Sequence, residues 1–311
     1  MMVIRMSTCR EFTLTAADST HLSCYEWPVE NARATVVMLH GLAEHAARYG
    51  RFAAALNEAG FSALSMDLRG HGQSANGRQG WFAAKDGWLV VLEDIRRLAA
   101  WARDNEPGKP LVLFGHSLGS VFAQAALQRF GGLFQAAVLS GVSVDVPLRR
   151  NIAPLIARVM GALRGMGNPS PVLDGLTFGA YNKQFEPART KFDWLSRDTG
   201  EVDKYVADPA CGFVCTGSLF VDVSRLLLDI LKPARVAGMP KDVPMLIISG
   251  AKDPVGLGGQ TAAFLEKRYR TAGLDVAAKV YPEARHELLN EMNREEVTGD
   301  IIMFIEKSVS N

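Results

Sequence analysis

LVLFGHSLGSVFAQAALQRF, residues 111–130, is the stretch that decides the fold. Its four apolar residues at 111–114 predict a buried strand, and residues 118–130 have the pattern of a helix. Between them, Gly115, Ser117 and Gly119 form a G-x-S-x-G pattern, which is typical of a sharp strand-to-helix turn that lifts a serine hydroxyl above a sheet edge. The pattern therefore predicts that Ser117 is a nucleophile. The alternative is a tight turn without chemistry.

The chain on either side of this turn alternates between strands and helices. Apolar strands are predicted at 34–39, 61–66, 111–114 and 136–139, with helices at 49–59, 87–105 and 118–130 between them. Two short strands, 11–15 and 21–27, come first. Because strands that are apolar throughout are buried on both faces, the pattern indicates an α/β fold with a mostly parallel sheet flanked by helices.

This alternation stops at residue 142 and resumes near residue 237. Strands at 244–249 and 277–281 and helices at 260–271 and 294–307 then follow. The intervening segment contains helical stretches and many glycines and prolines. We interpret residues 1–141 and 237–311 as one core domain, and residues 142–236 as an inserted helical cap.

A serine hydroxyl needs a base to act as a nucleophile at neutral pH. Among six histidines, His286 lies between the last strand and the last helix, where the chain order Ser, acid, His places the base. The alternative is a surface histidine at a helix start. The other five have different expected roles: His116 points away from Ser117, His21 lies in the early hairpin, His40 and His71 form structural hydrogen bonds, and His45 is a candidate for the pocket wall.

The acid that orients the histidine must follow a strand and lie between Ser117 and His286 in the chain. Asp253 directly follows the strand at 244–249 and is the predicted acid. Asp229 and Asp275 are the alternatives, but the first lies in the predicted cap and the second in a turn before a strand. An Asp-Pro turn without chemistry is the other interpretation of Asp253.

Attack by a serine on an acyl group develops negative charge on the carbonyl oxygen, so two fixed backbone donors are needed near Ser117. We assign one to the N–H of Leu118, at the start of the helix. The second is assigned to Leu42, in the loop that follows the strand at 34–39. Leu42 and Leu118 are thus the predicted oxyanion hole.

With these residues, the chain resembles the α/β-hydrolase superfamily and, within it, the monoacylglycerol lipase and lysophospholipase-like group. The resemblance is carried by HGLAEH at 40–45 with Arg48 and Tyr49, DLRGHGQS at 67–74, the turn at 115–119, Asp253 and His286. That group usually has HGxGEH and GHSMGG, where this chain has Ala43, Leu118 and Ser120. The resemblance implies carboxylic ester hydrolysis without a metal or organic cofactor, and it makes 67–74 a structural loop instead of a phosphate site.

The predicted cap contains an apolar stripe at helical spacing, formed by Ile152, Leu155, Ile156, Val159, Met160 and Leu163. One interpretation is packing within the cap. The other is a lid whose apolar face covers the acyl chain of the substrate and contacts lipid transiently, with Ile156, Val159 and Met160 lining the pocket. Further candidates for the pocket wall are Met166, Leu173 and Phe178.

The composition indicates what kind of partner to expect. The 34 basic and 33 acidic residues leave no charge excess to recruit nucleic acid, so a small-molecule substrate is expected. The start of the chain lacks a secretory apolar stretch, and no later stretch is long enough to span a membrane, which predicts a soluble, cytoplasmic protein. The four cysteines, Cys9, Cys24, Cys211 and Cys215, lack zinc-site spacing and are expected to be free thiols. The oligomeric state is not predicted.

Three functions fit these residues. The leading one is hydrolysis of an acyl ester such as a monoacylglycerol or a lysophospholipid-like lipid. The second is hydrolysis of an amide or peptide in the manner of an aminopeptidase, for which charged side chains are expected in the cap pocket. The third is a non-catalytic ligand-binding protein of the same fold, which is disfavoured because the serine, histidine and acid are all retained.

Overall fold

A computed structural model describes residues 8–143 and 165–310 of the chain. An eight-stranded sheet forms its centre, with the strand order β1-β2-β4-β3-β5-β6-β7-β8. The strands are β1 (Arg10–Thr15), β2 (His21–Trp27), β3 (Thr35–Leu39), β4 (Ser62–Met66), β5 (Leu111–His116), β6 (Ala136–Ser140), β7 (Met245–Gly250) and β8 (Val276–Tyr281). β1 pairs antiparallel with β2 and β2 with β4, whereas β4, β3, β5, β6, β7 and β8 pair in parallel. The predicted α/β fold with a mostly parallel sheet is confirmed.

Helices cover both faces of this sheet. They are α1 (Gly50–Glu58), α2 (Gly87–Asn105), α3 (Leu118–Phe130), α4 (Pro171–Phe178), α5 (Thr199–Ala207), α6 (Gly217–Ile230), α7 (Pro233–Ala237), α8 (Gln260–Thr271) and α9 (Arg294–Val309). Successive side chains of a strand point to opposite faces: in β3, Val37 packs toward α2, α3, α6 and α8, and Val36 toward α1 and α9. Both faces are apolar, which explains why these strands lack a polar alternation.

The segment after β6 divides into two parts with different packing partners. α6 places Leu219, Leu226 and Ile230 in the same apolar cluster as α2 and α3, so it packs directly on the core. A separate small cluster joins Tyr181, Trp194, Leu195, Tyr205 and Cys211 around α5. The cap boundaries at 142 and 236 stay a prediction. The apolar stripe at 152–163, with Ile156, Val159 and Met160, lies outside the described residues.

The loop at 67–74 is held by a buried carboxylate. Asp67 accepts hydrogen bonds from the backbone N–H of Ala46 and Gln73, both at 2.8 Å, and from the Tyr25 hydroxyl at 3.2 Å. The predicted structural role of this loop is therefore confirmed. No helix in the described part of the chain has the length and apolar character needed to cross a bilayer.

Candidate active site

Ser117 occupies a strained turn between β5 and α3. Its backbone has φ +52° and ψ −118°, a conformation that a residue with a side chain rarely adopts. The flanking glycines permit the turn because a Cβ at Gly115 would overlap the carbonyl of Gly119, and one at Gly119 would overlap the carbonyl oxygen of Leu39. The serine side chain therefore sits at the carboxyl edge of the sheet, where β3 and β5 end.

Three predicted residues meet at this edge. His286 Nε2 lies 2.9 Å from Ser117 Oγ, and His286 Nδ1 lies 2.9 Å from Asp253 Oδ2. Ser117 follows β5, Asp253 follows β7 and His286 follows β8. Both His286 and Asp253 are buried. In the tautomer that satisfies both contacts, Nδ1–H donates to Asp253 and Nε2 accepts from the serine hydroxyl. In this geometry, His286 Nε2 can accept the proton of the Ser117 hydroxyl.

The two rival acids lie elsewhere. Asp229, on α6, pairs with Arg129 and with Lys232 at 2.8 Å. Asp275 precedes β8, and its backbone oxygen accepts from the N–H of Met245 at 2.9 Å. Of the three acidic candidates, Asp253 is the one whose carboxylate contacts His286 in the described structure.

The pKa of His286 lies above the ordinary value of 6.5. Burial lowers it, but the charge and hydrogen bond of Asp253 raise it more, and the carboxylates of Glu287 and Glu44 add to the increase. His116 was expected to point away from Ser117; its ring packs against that of His286, with the ring centroids 4.8 Å apart. Burial and the neighbouring His286 lower the pKa of His116 to about 4, so His116 is neutral at pH 7.

The loop with the predicted second oxyanion donor lies beside the serine. A Cβ on Gly41 would be 3.2 Å from the Cβ of Ser117. The Gly41 N–H donates to Glu44 Oε1 at 2.6 Å, which holds the loop in place. Within the described residues, 8–143 and 165–310, no protein group accepts a hydrogen bond from the N–H of Leu42 or Leu118. Both donors are thus available near Ser117, and their oxyanion role stays a prediction.

A buried ion cluster ties this loop to the histidine loop. Arg48 donates to Glu44 Oε2 at 2.6 Å and to both carboxylate oxygens of Glu287 at 2.7 Å. Burial raises the pKa of Glu287, but the charge of Arg48 and its hydrogen bonds outweigh this and hold that pKa below its usual range. Sequence reasoning missed Glu287. The available signals were its position next to His286 and the pair Arg48-Tyr49 after HGLAEH.

Among the remaining loop histidines, His40 and His71 contact backbone groups, whereas His45 contacts a carboxylate. His40 accepts from the Leu68 N–H at 2.8 Å, and its other ring nitrogen lies 2.7 Å from the Gly41 oxygen, so its structural role is confirmed. His71 also contacts a backbone oxygen, that of Arg69, at 2.9 Å. His45 was expected in the pocket wall, but its Nε2 lies 2.8 Å from Asp208 Oδ2, outside the described lining. The His45 ring is therefore turned toward Asp208.

A cavity of about 910 Å³ opens in front of Ser117. One wall comes from α3 and α6 and is mainly apolar, with Leu118, Val121, Phe220, Val223 and Leu227. Ser224 also lines it, with its hydroxyl bonded to the Phe220 carbonyl. A second part of the lining comes from α4 and the segment after it and includes the predicted Leu173 and Phe178, together with Leu176, Tyr181 and Trp194. Met166 is not part of the described lining. The Trp194 ring centroid lies 5.2 Å from that of His286, so this second part of the lining reaches the reacting groups.

Known proteins resemble the chain over most of its length. The family model described as Serine aminopeptidase, S33 matches residues 30–293. A monoacylglycerol lipase from Mycolicibacterium smegmatis is 32% identical over 89% of this chain and 90% of the relative. The monoglyceride lipase of Homo sapiens is 28% identical over 96% of this chain and 89% of the relative. A thermostable carboxyl esterase from Bacillus coagulans, solved in complex with glycerol, superposes with a TM-score of 0.90 at 26% identity, over 97% and 99% of the two chains.

The chain belongs to this family of α/β-hydrolases. As a monoacylglycerol lipase-like serine hydrolase, it is a carboxylic ester hydrolase.

The departure at Ala43, where the group usually has glycine, has a structural cost in this α/β-hydrolase. Ala43 has φ +55°, a left-handed conformation that glycine adopts without strain. Its carbonyl accepts from the Tyr205 hydroxyl at 2.8 Å and from the Gly212 N–H at 2.9 Å. These two bonds join the loop at 40–45 to the segment around α5.

Proposed function

We propose that the chain hydrolyses monoacylglycerols or similar monoacyl esters, including lysophospholipid-like lipids, with Ser117 as nucleophile, His286 as base and Asp253 as orienting acid. The observation that carries the proposal is the chain of two 2.9 Å contacts from Ser117 Oγ through His286 to Asp253, at the base of a large cavity with one mainly apolar wall.

The proposed reaction has two halves. Ser117 Oγ attacks the ester carbonyl while His286 Nε2 takes its proton, and the N–H groups of Leu42 and Leu118 stabilise the oxyanion. The tetrahedral intermediate then expels the alcohol, which receives the proton from His286, and the acyl group stays on Ser117. Water next gives a proton to His286 and attacks the acyl-enzyme. Collapse of the second intermediate releases the fatty acid and returns the proton to Ser117.

The shape and chemistry of the cavity support a lipid acyl chain as the bound group. The wall from α3 and α6 is mainly apolar, and burial of each methylene is worth up to about 0.8 kcal/mol, or roughly fourfold in binding. Relatives named for monoacylglycerol and for carboxyl esters support the same substrate class. We propose that the segment 142–236, apart from α6, which packs on the core, caps this cavity and contacts lipid transiently.

A second candidate is hydrolysis of an amide at a free amino terminus. The family that matches the chain is described as serine aminopeptidase, and Asp174 lines the cavity wall, where its carboxylate could pair with an ammonium group. Lys191 lines the same wall and offsets that charge. The apolar α3 and α6 wall favours the ester.

Fluorophosphonate labelling combined with a substrate series tests the proposal. We expect labelling and p-nitrophenyl ester turnover in the wild type, and neither in Ser117→Ala or His286→Ala. Turnover retained in purified Ser117→Ala would overturn the choice of nucleophile. Aminoacyl amides in the same series decide between the two candidates, because faster cleavage of the amides would favour the aminopeptidase.

Acyl chain length tests the apolar wall. Val223→Phe narrows the cavity, so kcat/KM for long-chain esters should fall at least about tenfold while acetate esters react almost as before, since short chains do not reach α6. Leu228→Phe is the matched control, because Leu228 lies on the same helix but is 37% exposed and outside the described lining. Equal losses for short and long esters in Val223→Phe would contradict the acyl assignment.

A further inference from the structure

Three side chains of different chemistry meet beside the loop at 40–45. A ring nitrogen of His45, a carboxylate oxygen of Asp208 and the Sγ of Cys211 all lie within 4.8 Å of one another. His45 comes from the loop before α1, and the other two come from the turn after α5. Their side chains range from buried to partly exposed, so an ion from solvent can reach them.

Imidazole, carboxylate and thiolate are the protein ligands that zinc prefers. Zinc bonds of about 2.0–2.3 Å place tetrahedral ligand atoms roughly 3.5 Å apart. The 2.8 Å contact between His45 and Asp208 and the 4.8 Å limit for the group bracket that spacing.

The surrounding charge favours a dication. Arg48 is the cation that bonds Glu44 and Glu287, so two buried carboxylates share one guanidinium. This leaves a surplus negative charge next to the group, and Asp208 adds another. Burial raises the pKa of the Cys211 thiol; Arg48 lowers it, whereas the negative charges of Glu44, Asp208 and Glu287 raise it further. A bound divalent cation would compensate this surplus.

We propose that His45, Asp208 and Cys211 bind a thiophilic divalent cation of the zinc type, with water completing a four-coordinate shell. On binding, the Cys211 thiol loses its proton to solvent and the thiolate sulfur bonds the metal. The site is separate from the proposed ester chemistry, and its position has a clear consequence. Since Gly212 already bonds the Ala43 carbonyl, a metal here fastens the turn at 208–212 to the loop that contains Leu42.

Cobalt(II) is the probe, because a cobalt–thiolate bond absorbs in the near ultraviolet. The full chain is used in a Cys9→Ser background, since Cys9 is an exposed free thiol. We expect a thiolate-to-cobalt band that saturates at about one equivalent, disappears when Zn²⁺ is added, and is lost in Cys211→Ser. His45→Ala and Asp208→Asn should each weaken binding at least about tenfold.

Cys215→Ser is the matched control. Cys215 is also buried and lies four residues further on, but it belongs to the apolar core cluster, so its removal should leave the cobalt band unchanged. A band that persists in Cys211→Ser, or its absence from the wild type at millimolar Co²⁺, would overturn the site. If Cys211→Ser does not fold, Zn²⁺ should still slow alkylation of Cys211 in the wild type, as read by peptide mass spectrometry. An unchanged alkylation rate would be equally decisive against the proposal.

Discussion

Arg48 donates two parallel hydrogen bonds to Glu287, the residue that follows His286. Because Arg48 also bonds Glu44, its loss leaves two buried carboxylates without a cation. We predict that Arg48→Met lowers the free energy of unfolding by about 3–5 kcal/mol, measured by urea denaturation. Arg33→Met removes an exposed pair with Glu306 and should cost at most about 1 kcal/mol. Similar losses in the two variants would show that the Arg48 cluster is not effectively buried.

The pH dependence of turnover reports on His286. The proposed base acts when neutral, so kcat/KM should rise with pH, with a midpoint above the ordinary 6.5. Asp253→Asn removes the largest influence that raises this pKa, while burial continues to lower it. The midpoint should therefore move to lower pH, and the plateau should fall by about 10⁴-fold. An unmoved midpoint would mean that a group other than His286 sets the pH dependence of turnover.

Ala43→Gly should stabilise the protein. Ala43 has a left-handed backbone, in which a residue with a Cβ costs about 1–2 kcal/mol. Glycine removes this strain, but its greater freedom in the unfolded chain destabilises the folded protein by about 0.5–1 kcal/mol. The net gain should be up to about 1 kcal/mol, seen as a small rise in Tm, with kcat for short esters unchanged. Ala263→Gly is the same chemical change on the exposed side of α8 and should lower Tm instead. A fall in Tm for Ala43→Gly would show that its methyl group packs usefully.

Asp229→Asn distinguishes a structural carboxylate from a catalytic one. Asp229 is paired with Arg129, Lys232 and Arg235 on the far side of α6, so the substitution should cost about 1–3 kcal/mol of stability. Ester turnover at a temperature where the variant is folded should stay within about twofold of the wild type. A loss of turnover as large as that of Asp253→Asn would mean that the acid is assigned wrongly.

Local patterns were sufficient to predict the sheet and the three residues that meet at its edge. Ser117 has a five-residue motif, and chain order after β7 and β8 selects Asp253 and His286, so each has a signal within a few residues of itself. The apolar strands are equally local, since burial on both faces leaves no polar positions.

Contacts between distant loops had no such signal. Glu287 is 239 residues from Arg48 in the chain, and neither composition nor periodicity indicates that their loops meet. His45 illustrates the same limit: neighbouring loop residues face opposite sides, and only the position of Asp208 decides which side His45 takes. The apolar face of α6 is visible in the sequence, but its partner, the core instead of the cap, depends on the chain path.

The close approach of Gly119 to the Leu39 carbonyl means that the end of β3 and the start of α3 meet with no room for a single methyl group. Position 119 therefore requires glycine, the residue without a Cβ. In a library that varied every codon, position 119 should be as intolerant as position 117, although the glycine has no atom that reacts. The two kinds of intolerance have different causes: variants at Ser117 should accumulate as folded, inactive protein, whereas variants at Gly119 should be lost to proteolysis inside the host cell.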